Sequence, residues 1–210
     1  MPSTRFMFST TKTLPGQTIQ LRHKGLWLAK NASGDITKQV MWARTLLTTT
    51  IAALSSGLNS TDKAHAKTYF MTPDGGPSPG DCTVIQTKLQ QISQGLSTDL
   101  TLKLGGDGAH GFVVQRGNTY GTLHVSKNTL MRGDELGVIT LMHEASHKFA
   151  ATEDGDGGAG GGDSEEAGYR KANDTGWWRD GLTPQLAINN ADSYAYFAYR
   201  VGTDRGVRRP

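Results

Sequence analysis

The sequence predicts an α+β fold that is mainly helical and carries a small antiparallel β-meander in its middle third. Apolar residues recur three or four positions apart in the first and last parts of the chain, and they alternate with polar residues between them. A hydrophobic content of 36% with 20% charged residues over 210 positions is typical of a globular protein. The single cysteine, Cys82, cannot form an internal disulfide, so we expect packing or a bound metal to hold the fold.

The chain is predicted to begin with an N-terminal arm, residues 1–34, followed by one domain over 35–210. The arm contains a strand at Thr18–Leu21 and ends in the turn-forming run Asn31–Gly34. Helices follow, because the apolar spacing becomes helical and each apolar run starts after a capping residue. They are predicted over 35–57, with Asp35 as N-cap and Gly57 as C-cap, over 61–70, and over 81–96 with Asp81 as N-cap.

The middle of the chain changes from helical to strand periodicity. Leu100–Leu104 alternates apolar and polar residues, as a half-buried strand does. Phe112–Gln115 and Tyr120–Val125 flank the turn Arg116-Gly117-Asn118 and are predicted to form a hairpin. We expect Tyr120–Val125 to offer a strand to an extended peptide, with Tyr120 and His124 as candidate substrate-binding residues.

Helical spacing returns in the last third of the chain. A core-facing helix is predicted from Asp134 to Ala151. A glycine-rich insertion follows at 155–168. Thr183-Pro184 then opens the last predicted helix as an N-cap and first helical residue.

Charge is divided unevenly along the chain. Residues 1–133 hold 14 Lys and Arg against 6 Asp, or +8, whereas residues 134–210 hold 8 against 13 Asp and Glu, or −5. The basic residues are scattered and form no helical stripe with interleaved aromatics, so nucleic-acid binding is not expected. No apolar run reaches the ~18–20 residues of a membrane span, so no membrane association is expected. The N-terminal residues lack the apolar core of a classical secretion signal.

The strongest chemical signal is the motif His143-Glu144-Ala145-Ser146-His147 on the predicted helix. Residues four apart share one face of a helix, so both imidazoles can point at a single Zn²⁺. Zinc with three protein ligands keeps a fourth position for water and lowers the pKa of that water towards ~7. Glu144, beside the two ligands, is then the candidate general base. The motif predicts a zinc-dependent endopeptidase.

Three carboxylates compete for the third position on the metal. Asp154 follows directly after the predicted helix. Glu165 and Glu166 lie 18 and 19 residues past His147, close to the spacing of a gluzincin, the thermolysin-like class of protease. Spacing alone leaves this alternative open.

Two segments of the chain resemble a known family. The run HEASHKFAATED and the later run Asn190-Ala191-Asp192-Ser193-Tyr194-Ala195-Tyr196-Phe197 resemble the aspzincins, the deuterolysin and peptidyl-lysine metalloendopeptidase family. That family pairs H-E-x-x-H with a G-T-x-D-x-x-Y segment and an N-A-D-S-x-x-Y-F helix, and the resemblance covers about residues 134–200. It implies a zincin-like fold, a Zn²⁺ cofactor and peptide-bond hydrolysis. By position, it makes His143, His147 and Asp154 the zinc ligands and Glu144 the general base.

The sequence departs from the family pattern at two places that bear on the site. Gly157 stands where the family has a tyrosine. We expect the insertion to loop out and return Tyr169 to polarise the scissile carbonyl, the alternative being a tyrosine that only packs there. In lysine-specific relatives the Asp of N-A-D-S and a Glu three residues later bind a basic residue after the cut. Asp192 is kept but Ala195 replaces that Glu, which predicts a loose basic preference, unless Asp192 instead orients a ligand histidine.

Two classes of function fit these patterns. The first is an active zinc endopeptidase that takes protein or peptide substrates. The second is a catalytically inactive zincin-like binding module, and retention of Glu144 favours the first. By analogy, the lack of disulfides and of a secretion signal favours a bacterial effector or toxin domain, secreted or delivered by a non-classical route, with an inhibitor or immunity protein as a further partner.

Overall fold

The computed structural model describes residues 8–14, 17–23, 26–104, 111–116, 119–126, 129, 134–154 and 183–210. The strands are β1 (Phe8–Leu14), β2 (Gln17–His23), β3 (Leu100–Leu104), β4 (Gly111–Arg116) and β5 (Thr119–Val125). The helices are α1 (Leu26–Ser56), α2 (Ser60–Phe70), α3 (Pro79–Gly95), α4 (Glu135–Ala150), α5 (Pro184–Ala187) and α6 (Ala191–Asp204). None of the helices in these ranges is both long and apolar enough to span a membrane.

The five strands form one mixed sheet in the order β1-β2-β3-β5-β4. Antiparallel pairs lie at its two ends, β1 with β2 and β4 with β5, whereas β2–β3 and β3–β5 are parallel. The predicted α+β class and the β4–β5 hairpin are confirmed. The sheet is not an antiparallel meander, because β4 takes the edge and leaves β3 to pair with β5. Alternation identifies a strand but does not fix its partner or direction.

The N-terminal segment forms two strands and the start of a helix where the sequence predicts an irregular arm. The predicted strand Thr18–Leu21 lies inside β2, which pairs with β3 along Ile19–His23. Helix α1 begins at Leu26 rather than after Asp35, so the predicted turn falls inside the helix. A glycine in a helix interior costs only about 1 kcal/mol relative to alanine, and a long helix tolerates it.

Two helix boundaries also differ from the prediction. The N-cap of α3 is Ser78 rather than Asp81, with Pro79 as the first helical residue. Asp81 lies one turn in, where its carboxylate accepts a hydrogen bond from the Ser78 hydroxyl at 2.7 Å. The last helix begins after its predicted N-cap Thr183, but a turn at 188–190 divides it into α5 and α6.

The core lies between one face of the sheet and the helices, with α1 and α4 in contact with the strands. Alternate residues of β3 and β5 are buried on this face: Leu100, Leu102, Leu104, Leu123 and Val125. Helix α4 also packs against α1, α3 and α6, so most of its residues are buried. This packing holds α4 beside β4 and β5 and next to the start of α6, where the functional groups converge.

Candidate metal centre

Helix α4 carries the two histidines, and its sequence fixes where it begins. The Asp134 carboxylate accepts a hydrogen bond from the Gly137 amide at 3.3 Å and caps the N-terminus. His143 and His147 lie one turn apart, with ring centroids separated by 4.7 Å and ring planes at 85°. Both imidazoles therefore face the same point beside the helix.

Asp154 completes a triangle of ligand atoms with the two histidines. His143 Nε2 lies 3.1 Å from His147 Nε2 and 3.3 Å from Asp154 Oδ1. His147 Nε2 lies 3.1 Å from the same carboxylate oxygen. Ligand atoms about 2.0–2.1 Å from a tetrahedral ion are about 3.3 Å from one another, so the triangle has the size that a metal requires. Among the residues that the structure describes, this is the group able to hold a metal ion.

The turn after α4 brings Asp154 back towards the histidines. Ala151 ends the helix in the left-handed conformation, with φ of 49°. The buried Thr152 hydroxyl lies 2.7 Å from the hydroxyl of Ser146, which itself donates to the His143 carbonyl at 2.7 Å. These two hydroxyls attach the turn to the last part of the helix.

A backbone bridge holds the same turn from its other side. The Glu153 amide donates to the Asn189 carbonyl, and the Glu153 carbonyl accepts from the Ala191 amide, both at 2.8 Å. Lys88 of α3 donates to the Asn189 side chain at 2.6 Å. The segment that carries Asp154 is thus fixed between α4 and the start of α6.

Both histidines are oriented through their second ring nitrogen. Asp192 Oδ1 lies 2.7 Å from His143 Nδ1, and the Thr152 carbonyl lies 2.7 Å from His147 Nδ1. Each acceptor favours the tautomer with the proton on Nδ1, which leaves the Nε2 lone pair for a metal. For Asp192, this is the orienting contact that the sequence left as an alternative to a substrate pocket. The Thr152 contact was missed, because a backbone acceptor leaves no signature in a side-chain pattern.

Burial and neighbouring charges shift the pKa values of the site in different directions. Burial alone lowers the pKa of His143, but the carboxylates of Asp154 and Asp192 outweigh it and raise that pKa well above its ordinary value. Burial raises the pKa of Asp154, yet the two histidines hold it well below its usual range. Asp154 is therefore ionised, as a metal ligand must be.

Glu144 lies in a drier environment than the three candidate ligands. Its Oε1 is 4.0 Å from His143 Nε2, and its side chain is only 5% exposed. Its other oxygen, Oε2, is buried without a hydrogen-bond partner among the described residues. Burial raises the pKa of Glu144, although His143 and His147 oppose the shift. This carboxylate therefore holds a proton more readily than an exposed glutamate does.

Of the remaining predicted residues, the structure describes the backbone of Tyr120 and the whole of His124. Tyr120 and His124 lie on β5, which pairs with β4 and, at 123–125, with β3, so within the described sheet β4 rather than β5 is the edge strand at this end. The substrate-binding roles of Tyr120 and His124 stay predictions. His124 alternates with the buried Leu123 and Val125 and so lies on the opposite sheet face, beside Lys103 of β3. The side chain of Tyr120 lies outside the described part of the structure, as do the whole of Tyr169, Glu165 and Glu166.

Comparisons with known proteins show a likeness of structure rather than of sequence. No protein family and no characterised protein matches the chain by sequence. Among solved structures, the chain is similar to a zinc peptidase from Grifola frondosa, with a TM-score of 0.53 and 15% sequence identity. The match covers 83% of this chain and 96% of the other. At this identity the likeness establishes a shared fold, which confirms the predicted zincin-like architecture.

Proposed function

We propose that this protein is a zinc-dependent peptidase of the aspzincin type. The observation that carries the proposal is the convergence of His143, His147 and Asp154 on one point, with Glu144 beside it. The shared fold with a zinc peptidase supports the same reaction class. The fold alone does not establish an activity, because one fold serves many functions.

The donor set fits zinc. Two imidazole nitrogens and one carboxylate oxygen are ligands that zinc accepts, and three protein ligands are the number typical of a catalytic site. Asp154 Oδ1 is buried 3.1–3.3 Å from the two histidine Nε2 atoms. With the ring protons on Nδ1, three lone pairs face one point there, and a cation would satisfy all three. Bound zinc would act as a Lewis acid towards the scissile carbonyl and would lower the pKa of the attacking water.

The protein groups supply the proton transfers and the orientation. Glu144 is placed to accept a proton from the attacking water and to pass it to the leaving amine. Its burial favours this exchange, since a raised pKa brings a carboxylate closer to neutral pH. Asp192 and the Thr152 carbonyl hold the two histidines in the ligand tautomer throughout.

A peptide substrate is supported by the position of β4. This strand is an edge of the described sheet, and its first residue, Gly111, lies against Glu144. The backbone of an edge strand can pair with an extended peptide, which would carry a scissile bond past the metal group. We therefore propose that the substrate is an unfolded or extended stretch of protein.

The finer features of the prediction remain proposals that rest on the sequence. These are polarisation of the carbonyl by Tyr169, a loose preference for a basic residue after the cut, delivery as an effector or toxin by a non-classical route, and an inhibitor or immunity partner. The preference depends on Asp192, whose carboxylate is engaged by His143. We therefore propose Asp192 chiefly as a positioning residue, with any basic preference weak.

Two alternatives carry less support. A gluzincin-type site would use Glu165 or Glu166, whereas Asp154 already lies within 3.3 Å of both histidine nitrogens. An inactive binding module would have no need to keep Glu144 buried beside the candidate ligands, because a buried carboxyl oxygen without a hydrogen-bond partner among the described residues, as Oε2 is, is destabilising.

The proposal is tested by metal analysis of purified protein together with cleavage of an unfolded protein. We expect one zinc per chain, loss of cleavage on chelation and recovery on adding zinc back. A His143→Ala variant should lose both zinc and activity, and a His65→Ala variant, which changes a histidine paired with Asp204 on α6, should keep both. Cleavage that survives complete removal of the metal would refute the proposal.

A further inference from the structure

Gly111, the first residue of β4, lies where a side chain would meet Glu144. It pairs with Val125 of β5, whose side chain is buried in the core, so any side chain at position 111 would point to the same face as α4. A Cβ atom built on Gly111 would lie 2.7 Å from both Cγ and Oε1 of Glu144 and 3.0 Å from its Cδ. Non-bonded carbon atoms prefer a separation of about 3.5–4.0 Å. The Glu144 carboxylate therefore occupies the space of the missing side chain.

The backbone of Gly111 does not itself require a glycine. The described glycines with a left-handed φ are Gly57, Gly76 and Gly206, and Gly111 is not among them. A glycine inside a strand weakens the strand and often marks the close approach of another group. The close approach to Glu144 is thus the feature that accounts for this glycine.

Glu144 has little room to move away from a side chain at position 111. It lies on the buried part of α4, and its side chain is only 5% exposed. An added methyl group would force the carboxylate into another rotamer or push β4 away from the helix. Either shift would change the distance between the Glu144 carboxylate and the metal site formed by His143, His147 and Asp154.

We propose that Gly111 is a positioning residue for Glu144, and that its lack of a side chain keeps the base against β4 at the metal centre. The contact itself is independent of what the protein does, whereas its role in hydrolysis rests on the proposed function. Two measurements separate these parts.

The first measurement is a double-mutant cycle on thermal unfolding of the metal-free protein. Gly111→Ala should lower the Tm, and the same substitution in a Glu144→Ala background should lower it by less than half as much, because the clash is gone. Gly75→Ala is the matched control, since a Cβ there has nothing within 4 Å, and its effect should be equal in both backgrounds. Equal losses for Gly111→Ala in both backgrounds would overturn the contact.

The second measurement is hydrolysis of a fluorogenic peptide by the zinc-loaded protein. Gly111→Ala should keep its zinc, and kcat should fall on the order of 100-fold, much more than KM changes, as expected when a reacting group is displaced by about 1 Å. In a Glu144→Asp background, the shorter side chain should make the further loss much smaller. A wild-type kcat for Gly111→Ala would overturn the positioning role. If the wild-type protein cleaves no peptide, the proposed function and the positioning role fail together. The unfolding cycle then still tests whether Gly111 and Glu144 are in contact.

Discussion

Replacing Asp192 tests how the protein holds its metal. Asp192 Oδ1 lies 2.7 Å from His143 Nδ1, and the two side chains are only 11% and 10% exposed. Little water can reach this pair to replace a lost hydrogen bond. Partners of ligand histidines change metal affinity by about 10–100-fold, or about 1.4–2.7 kcal/mol. Because this contact is buried and charged, we expect Asp192→Ala near the upper end, about 100-fold weaker in zinc affinity.

Asp192→Asn should lose less affinity than the alanine variant. An amide oxygen can still accept a hydrogen bond from Nδ1–H and keep the ring oriented, but it no longer carries the charge that makes His143 a stronger ligand. We expect a loss of about 10-fold. The prediction therefore includes the order of zinc affinities: wild type highest, then Asp192→Asn, then Asp192→Ala.

The zinc Kd is measured by competition with a chelating zinc indicator. Asp204→Asn is the matched control, because Asp204 also contacts a histidine, His65, at 2.7 Å, but its side chain is 47% exposed. This variant should leave the zinc Kd unchanged. An unchanged Kd in Asp192→Ala would refute the positioning role. If that variant instead raised only the KM of peptides with Lys or Arg after the cut, Asp192 would line a substrate pocket.

Two further predictions concern the turn after α4. Asp154→Ala should release zinc, whereas Glu165→Ala and Glu166→Ala should retain it, as measured by metal content after dialysis. Full zinc occupancy in Asp154→Ala would show that Glu165 or Glu166 is the third ligand. Ala151→Gly should stabilise the protein by about 0.5–1 kcal/mol, because an L-residue in the left-handed conformation is strained and glycine is not, despite its larger unfolded-state entropy. In a chain of this size, that raises the Tm by about 1–4 °C in a thermal melt, and a lower Tm would show that Ala151 is not strained.

The grouping of His143, His147 and Asp154 was predictable because it depends on short sequence spacings. His143 and His147 are four residues apart on a helix whose apolar periodicity is clear, so their common direction follows from helix geometry. Asp154 is close enough in sequence for a single turn to return it. The contact from Asp192, 49 residues beyond His143, depends on how α6 packs against α4, and the sequence left it as one of two alternatives.

Features that depend on pairing over long distances were predicted less well. Strand β3 pairs with β2 across three helices, and β4 rather than β5 occupies the edge, which alternation along one strand does not reveal. The turn signal at Asn31–Gly34 was strong but lies inside α1, because local preferences of about 1 kcal/mol yield to packing of a long helix. The sequence pattern did not single out Gly111, because the reason for a glycine there is the close approach of the Glu144 side chain.

The measurement that tests the account most directly compares the wild-type protein with Glu144→Gln, both loaded with zinc, on an unfolded protein substrate. Glu135→Gln, at the start of the same helix, is the matched control. We expect all three to bind one zinc, the control to cleave at the wild-type rate, and Glu144→Gln to lose at least about 100-fold in rate, because water then lacks its proton acceptor. A zinc-loaded Glu144→Gln variant that cleaves as fast as the wild type would contradict the proposed mechanism.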